Sequence, residues 1–377
     1  MKTSHYQICK KCIMDTTDPD IKFDERGICN YCNNNQKLFR EIGLNDEKLK
    51  DEALKHLLSE MKKAGKGREY DCIIGLSGGV DSSYVAYLVK NMGLRPLAVH
   101  VDNGWNSELA IKNIENIVRK LGIDLYTYVI DWEEFKDLQI SFLRASIVDL
   151  EMLSDNAIVV AIDRIARGEK IKYFLAGTNL ATESIMPPSW FFNIKYDSLN
   201  IKSIYKRFGS GMKLKTFPLL NFFEYIRYRY FNSVKVISIL NYVSYKKEEA
   251  IDILKNKLDW RDYGGKHGES KITQFYQSYI LPTKYNVDKR RAFLSCLISS
   301  GQISRDEALE KVTKELYSRE KLKEDKDFFL KKMGFSETVF EEIMDLKKKS
   351  HYDYPSYDYW HKKIVAFGKK IINLFSK

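Results

Sequence analysis

The stretch DCIIGLSGGVDSSYVAYLVKNMG, residues 71–93, changes texture twice within a few positions. Cys72 to Leu76 form a short apolar run, Ser77 to Ser83 a small-residue turn, and the remainder carries the apolar spacing of a helix. A strand that turns through glycines into a helix is a phosphate-binding arrangement. Gly78 and Gly79 let the backbone turn tightly, so successive N–H groups can face an anion. The helix N-terminus at Val80 adds the positive end of its dipole. Ser77, Ser82 and Ser83 offer hydroxyl donors, and Asp81 is placed to hold Mg2+. The loop lacks the lysine of GxxxxGK[ST], so it is not built for γ-phosphoryl transfer. The ligand it predicts is the pyrophosphate of ATP. The plainer alternative is a tight turn in which Ser82 or Asp81 merely caps the helix.

Outward from this loop, RPLAVHVDNGW (95–105), LAIKNIENIVRKLG (109–122), DLYTYVIDW (124–132), a long helical stretch at 141–168 and KIKYFLAGTN (170–179) continue the alternation. Strands alternating with helices predict an α/β fold with a doubly wound parallel sheet. Right-handed crossovers then bring the loops at 77–83, 102–105, 131–133 and 177–182 to one edge. Gly177, Thr178 and Asn179 are expected to contact a phosphate or an intermediate there. His100 and Cys72 read as core residues of their strands, and Cys296, in LSCLI, as another packed thiol. The alternation is expected to stop near Lys202. Residues 217–258 are aromatic-rich and helical in texture, and 302–350 helical and charged. The expected organisation is a zinc-binding module at 1–40, a helical linker at 41–68, the loop-bearing domain at 69–216, a mainly helical substrate-binding region at 217–350 and a basic tail at 351–377.

Four of the six cysteines fall in the first 32 residues, as Cys9-x2-Cys12, sixteen residues, and Cys29-x2-Cys32. Two such knuckles match a four-thiolate zinc site, with a pair of disulfides as the competing reading. All four positions are protein ligands, so the expected role of zinc is structural. No run approaches a membrane-spanning length, and the N-terminus lacks an apolar signal region, which together predict a cytoplasmic chain. The net charge of +11 favours polyanionic partners without choosing among them.

SGGVDSS in this setting resembles the pyrophosphatase loop of the N-type ATP pyrophosphatases, an adenine nucleotide alpha hydrolase-like superfamily that includes asparagine, GMP and argininosuccinate synthetases and tRNA thiolases. The resemblance implies AMP transfer from ATP to a carbonyl oxygen, and it puts nucleotide contacts at Asp102 and Asn103. Residues 260–309, WRDYGGKHGESKITQFYQSYILPTKYNVDKRRAFLSCLISSGQISRDEAL, resemble the N-acetyl sugar amidotransferases of lipopolysaccharide and flagellar glycan pathways. With the CxxC pair and GTN at 177–179, that resemblance covers roughly residues 5–350. It implies conversion of an acetamido group on a nucleotide-linked sugar into an acetamidino group. It also implies ammonia supplied by separate glutaminase and channelling subunits resembling histidine-biosynthesis proteins, with no nucleic acid partner. The sequence departs from the family pattern at Phe293, where His is expected, and at Gly268, where a bulkier residue is usual.

Within the same stretch, Arg261, Lys266, Lys284, Lys289, Arg290 and Arg291 could hold a diphosphate or carboxylate. His267 or Glu269 could accept a proton from attacking ammonia, so Lys266, His267 and Glu269 join Asp81 as the expected catalytic set. Tyr263, Trp260 and Tyr276 could stack on a ring. Single positions are equally readable as solvated charges. In the tail, Ile364, Val365, Phe367, Ile371, Ile372, Leu374 and Phe375 share one helical face and Lys362, Lys363, Lys369, Lys370 and Lys377 the other. That pattern suits docking on protein or an anionic membrane surface.

Overall fold

The computed structural model describes residues 6–41, 46–263 and 268–363. Lys266, His267 and the tail from 364 therefore lie outside the described residues. Five parallel strands form one sheet: β1 (Cys72–Gly75), β2 (Pro96–Asp102), β3 (Asp124–Val129), β4 (Tyr173–Ala176) and β5 (Lys235–Ser238), in the order β3-β2-β1-β4-β5. The helices are α1 (Asn30–Glu41), α2 (Glu47–Ala64), α3 (Val80–Asn91), α4 (Glu108–Leu121), α5 (Trp132–Ala145), α6 (Met152–Gly168), α7 (Leu180–Glu183) and α8 (Ser198–Phe208). They continue as α9 (Phe222–Tyr230), α10 (Lys247–Leu258), α11 (Lys271–Phe275), α12 (Lys289–Ser299), α13 (Arg305–Thr313), α14 (Arg319–Met333) and α15 (Glu337–Asp345).

The two-residue period of the strands divides the core. Ile73, Leu97 and Val99 pack against Ile162 and Ala166 of α6 on one face. Cys72, Ile74 and Ala98 pack against Val85, Ala86 and Val89 of α3 and Ile114 and Ile117 of α4 on the other. Near-continuous apolar strands are what a parallel sheet covered on both faces requires. α2 joins the second face through Met61, with Leu54, Leu57 and Leu58 partly buried. The doubly wound expectation holds, and the C-terminal region is mostly helical.

One element corrects the sequence reading. The aromatic-rich 217–258 segment contains β5, so the sheet continues past the point where the alternation was expected to stop. β5 has four residues and sits at an edge, with Lys235 and Val236 exposed. Such a strand is too short and too half-wet to show a clear period.

The chain reverses between β1 and β4: β1 to β3 step one way across the sheet, β4 and β5 the other. The β1 and β4 loops flank this switch point, where open α/β sheets bind ligands. The 131–133 loop does not join them. Asp131 caps α5, accepting from Glu133 and Glu134 N–H at 3.0 and 3.2 Å, and its own N–H donates to Thr216 Oγ1 at 2.8 Å. Beside it, the buried Glu134 carboxylate accepts from Lys215, Thr216 and Phe217 N–H at 2.7–3.2 Å. This loop is a strap for 215–217.

Burial works against the Glu134 charge, but the donors from Phe217, Lys215 and Thr216 outweigh it and hold its carboxyl below the ordinary value. A depressed carboxyl stabilises the fold above its unfolded pKa of about 4.3 and loses that contribution as pH falls through the folded value. Glu134→Gln should therefore cost about 1–3 kcal/mol at neutral pH, with the gap to wild type closing under acid. Denaturant melts at pH 7 and at about pH 3 would check this; a pH-independent gap would contradict it.

Candidate functional site

In the Ser77–Ser83 loop, Gly78 takes φ +81°. A Cβ there would also come within 2.6 Å of the Ala110 carbonyl oxygen of α4, so only glycine fits. Its carbonyl is held from behind by the Trp260 indole N–H at 2.8 Å and the Tyr263 hydroxyl at 2.6 Å. The N-cap of α3 is Gly79, with no side chain capping the helix. The capping alternative for Ser82 or Asp81 is thereby set aside. The first-turn N–H groups at Val80, Asp81 and Ser82 remain without a side-chain cap, as an anion site requires. Ser77 Oγ and Ser82 Oγ lie 3.1 Å apart at the mouth of the turn. Ser83 does not face that mouth: it is fully buried, and its hydroxyl has no partner among the described residues.

Gly177 brings the β4 loop against the turn, since a Cβ there would lie 3.2 Å from Asp81 C and Ser82 N. Thr178 is exposed beside it, its hydroxyl 2.8 Å from Ser238 Oγ. Asn179 instead caps α7, accepting from Thr182 N–H at 2.9 Å. Asp102 turns into its own loop, accepting from Gly104 N–H at 2.9 Å and Asn106 Nδ2 at 3.0 Å, while Asn103 and Asn106 line the cleft. His100 is a satisfied core residue: its ring nitrogens meet the Leu76 carbonyl at 2.9 Å and Asn106 Nδ2 at 3.1 Å. Burial lowers its pKa. One oxygen of Asp81 accepts from the buried Tyr245 hydroxyl. Burial and the Asp81 charge together raise the Tyr245 pKa.

Ser77, Ser82, Gly177 and Thr178 open on a cleft of about 720 Å³. One wall is apolar, with Val99, Ile162, Phe174 and Val236 on the α6 face. The far end is charged, with Glu151, Asp155 and Lys195. Lys195 sits 2.5 Å from Asp149 and 3.1 Å from Asp155. Burial opposes its charge, but the two carboxylates more than offset that and hold it protonated. None of these carboxylates, nor Lys195, was singled out from sequence. The available signal was the acidic spacing 149, 151, 155 at the start of α6.

Glu269 reaches the loop. Ser107 N–H donates to its carbonyl at 3.0 Å and Lys271 N–H to that of Trp105 at 3.1 Å, so 269–271 lies along the β2 loop. A Cβ on Gly79 would stand 3.5 Å from the Glu269 carboxylate carbon. Gly268 departs from the family pattern for a local reason: a Cβ there would fall 2.3 Å from Tyr263 Cβ.

Among the described residues, the expected basic acceptor cluster does not come together. Arg290 binds Asp288 at 2.7 Å and the carbonyls of Lys314 and Val312. Arg291 binds Asp15 at 3.0 Å and the Ile13 carbonyl at 2.9 Å. Lys284 donates to the Ile343 carbonyl, and burial pushes it down to about 8. Arg261 is exposed, with its backbone N–H on Asn113. Tyr276 is buried, its hydroxyl on the Val148 carbonyl. Lys289 approaches the cleft through its ion pair with Glu151. Trp260 and Tyr263 buttress Gly78 rather than stack on a ligand. Phe293 lies under Lys247, 5.1 Å from its ammonium, in a second cavity of about 670 Å³ behind α10 and α12.

The thiols of Cys9, Cys12, Cys29 and Cys32 lie within 4.8 Å of one another, with Cys9–Cys32 at 3.9 Å and Cys12–Cys29 at 3.6 Å. A tetrahedral site with Zn–S near 2.3 Å has sulfur edges of about 3.8 Å. Backbone N–H groups of Lys11, Cys12 and Cys29 point at Cys9 Sγ at 3.3–3.4 Å, as thiolate ligands favour. None of the six cysteines is in a disulfide, so the cluster could hold a metal. Arg305 ties this module to α13, binding the Cys9 and Cys12 carbonyls at 3.0–3.2 Å.

Two substitutions separate the loop's sterics from its hydrogen bonds. Gly78→Ala should destabilise by about 1–3 kcal/mol through its φ alone, plus the Ala110 clash, and abolish ATP binding. Trp260→Phe removes one of two donors to the same carbonyl and should cost about 0.5–1.5 kcal/mol. Thermal melts with nucleotide titration measure both; equal effects would contradict the steric assignment.

Two stretches of the chain match known families. Residues 51–207 match the NAD synthase family, and residues 269–366 match the family described as LPS biosynthesis protein WbpG-like, C-terminal domain. The tRNA(Ile)-lysidine synthase of Chlamydia pneumoniae is 37% identical over 67 residues, covering 17% of this chain and 21% of that protein. A GMP synthase [glutamine-hydrolyzing] of Thermus thermophilus is 38% identical over 85 residues, 22% of this chain and 16% of that protein. The chain thus matches about a fifth or less of these relatives' lengths. The structure of NMN synthetase from Francisella tularensis is similar at 14% identity and a TM-score of 0.30, covering 81% of this chain and 98% of that one. The chain thus joins an NAD synthase-like PP-loop domain, a fold of ATP-using enzymes, to a WbpG-like C-terminal domain.

Proposed function

We propose that this chain is an ATP-dependent amidotransferase that converts the acetamido group of an N-acetylated, nucleotide-linked sugar into an acetamidino group in surface glycan biosynthesis. The observation that carries the reading is the uncapped Gly78–Gly79 turn at the switch point, opening on a cleft with an apolar wall and a charged end. The apolar wall suits a planar purine, and the loop N–H groups suit the β and γ phosphates. The acetamido oxygen attacks the α-phosphorus; an O–P bond forms, the α–β anhydride bond breaks, and pyrophosphate leaves into the loop. Ammonia then adds to the activated carbon, AMP departs with the oxygen, and the proton shed by nitrogen goes to a base. Glu269, whose carboxylate carbon lies 3.5 Å from where a Gly79 Cβ would stand, would take that proton. Bound magnesium would supply charge neutralisation at the departing pyrophosphate, with the Asp81 oxygen not taken by Tyr245 as its holder. Ammonia would reach the cleft from separate glutaminase and channelling subunits.

Zinc at the four cysteines would be structural, because every ligand is a protein thiolate. The protein should carry a single zinc ion by elemental analysis, and Cys29→Ser should lose it and lower the melting temperature. A metal-free, equally stable wild type would overturn this assignment.

The decisive assay combines ATP, ammonium and a panel of nucleotide-linked diacetamido sugars. The expected result is sugar-dependent pyrophosphate release and a product whose mass reflects exchange of oxygen for NH. Glu269→Gln should lower kcat about 100-fold or more with little change in KM for ATP. A second reading, a tRNA-modifying enzyme, draws on the lysidine synthase similarity and the charge of +11. A thiolase form is disfavoured, since Cys72 and Cys296 are both fully buried and burial raises the Cys72 pKa. Pyrophosphate release stimulated by bulk tRNA and not by sugars would favour the tRNA reading.

A further inference from the structure

Helix α9 and the following turn read FFEYIRYRYFN, and much of their aromatic surface faces solvent. Phe223 is 81% exposed, Phe231 74%, Phe222 53% and Tyr230 51%. Residues 357–363 are helical and lie alongside α9. Tyr357 packs on Tyr225 with ring centroids 4.4 Å apart and on Phe222 at 5.8 Å. One turn further, the Tyr230 hydroxyl meets His361 Nδ1 at 2.7 Å. The two helices therefore run in parallel, and the second adds Trp360, 54% exposed, to the same surface. Single exposed aromatics are ordinary, whereas this many on two adjoining helices is a patch.

The rim is basic. Lys363 lies 4.5 Å from the Tyr359 ring and 5.9 Å from that of Trp360, and Arg229 lies 5.8 Å from the Tyr230 ring. The nearby acids are engaged: Glu224 caps α9 and faces Arg164 at 3.6 Å, and the buried Asp358 pairs with Lys362 at 2.8 Å. Fourteen residues follow Lys363, and from 357 to the end the sequence holds five lysines against one acid, Asp358.

From this arrangement we propose that the surface formed by α9 and residues 357–363 docks on an anionic lipid membrane. Exposed Phe, Tyr and Trp among Lys and Arg are the side chains that settle at a headgroup boundary, apolar rings inward and cations toward lipid phosphates. The lysines of the tail sequence add to the charge of the rim in favouring a single anionic plane. Among the described residues no helix is long and apolar enough to cross a membrane, so the association is peripheral. The same segment lines the cleft through Tyr228, Val234 and Val236, which puts the docking surface beside it.

Vesicle sedimentation of the full chain tests the proposal. Binding is expected to phosphatidylglycerol–phosphatidylethanolamine vesicles, to weaken as salt rises, and to be near absent with phosphatidylcholine alone. The combined Phe223→Ser, Phe231→Ser, Trp360→Ser variant alters only exposed side chains, so it should melt like wild type while its partition coefficient falls about ten-fold or more. Equal binding by variant and wild type would assign the membrane contact to the tail alone and overturn the patch. Absence of binding to anionic vesicles would overturn it outright. So would a concentration-dependent oligomer of the wild type that the variant abolishes, since the patch would then be a protein interface.

Discussion

The peptide unit at Gly78 carries more of this molecule than any side chain does. Its φ of +81° turns the chain out of β1, and its Cα faces the Ala110 carbonyl where no side chain fits. Its carbonyl is drawn backward by Trp260 and Tyr263, residues nearly two hundred positions further along the chain. Pinning the carbonyl on one side leaves the following N–H groups, at the start of an uncapped helix, on the other. The anion site is thus held by a contact between the sheet domain and the C-terminal half, and the two cannot be understood separately.

The same long-range packing decided where the charges went. The KRR run at 289–291 looks like a ready-made anion clamp in sequence. In the fold, Arg290 ties α12 to the end of α13, and Arg291 and Arg305 bind carbonyls of the cysteine module. A partly buried arginine that meets carbonyls and a carboxylate is well satisfied there. The cleft's charged end is built from the other sign, with Glu151, Asp149 and Asp155 organised around Lys195 and Lys289. Those acids come from the start of α6, a stretch with no motif to announce it.

Most of the framework was legible because it depends on local periodicity. Alternation of apolar runs and amphipathic helices over 71–179 predicts the parallel sheet, since its central strands β1, β2 and β4 must be apolar on both faces. β5 escaped because four half-exposed residues carry almost no periodic signal. The 131–133 loop misled for a related reason: position after a strand predicts which edge a loop occupies, but not whether Glu134 and Thr216 will tie it down elsewhere.

By itself, the sequence determined the strand-turn-helix with its obligatory glycine, the four-cysteine spacing and the alternation that sets the sheet. These follow from backbone sterics and short-range spacing, which neighbours in the chain impose on one another. Only the tertiary structure decided that Glu269 borders the loop, that Trp260 and Tyr263 are its buttresses, and that Asp102, Asn179 and Ser83 turn away from the cleft. Those choices depend on which distant backbone groups need a partner once buried, and that demand exists only after the chain has packed.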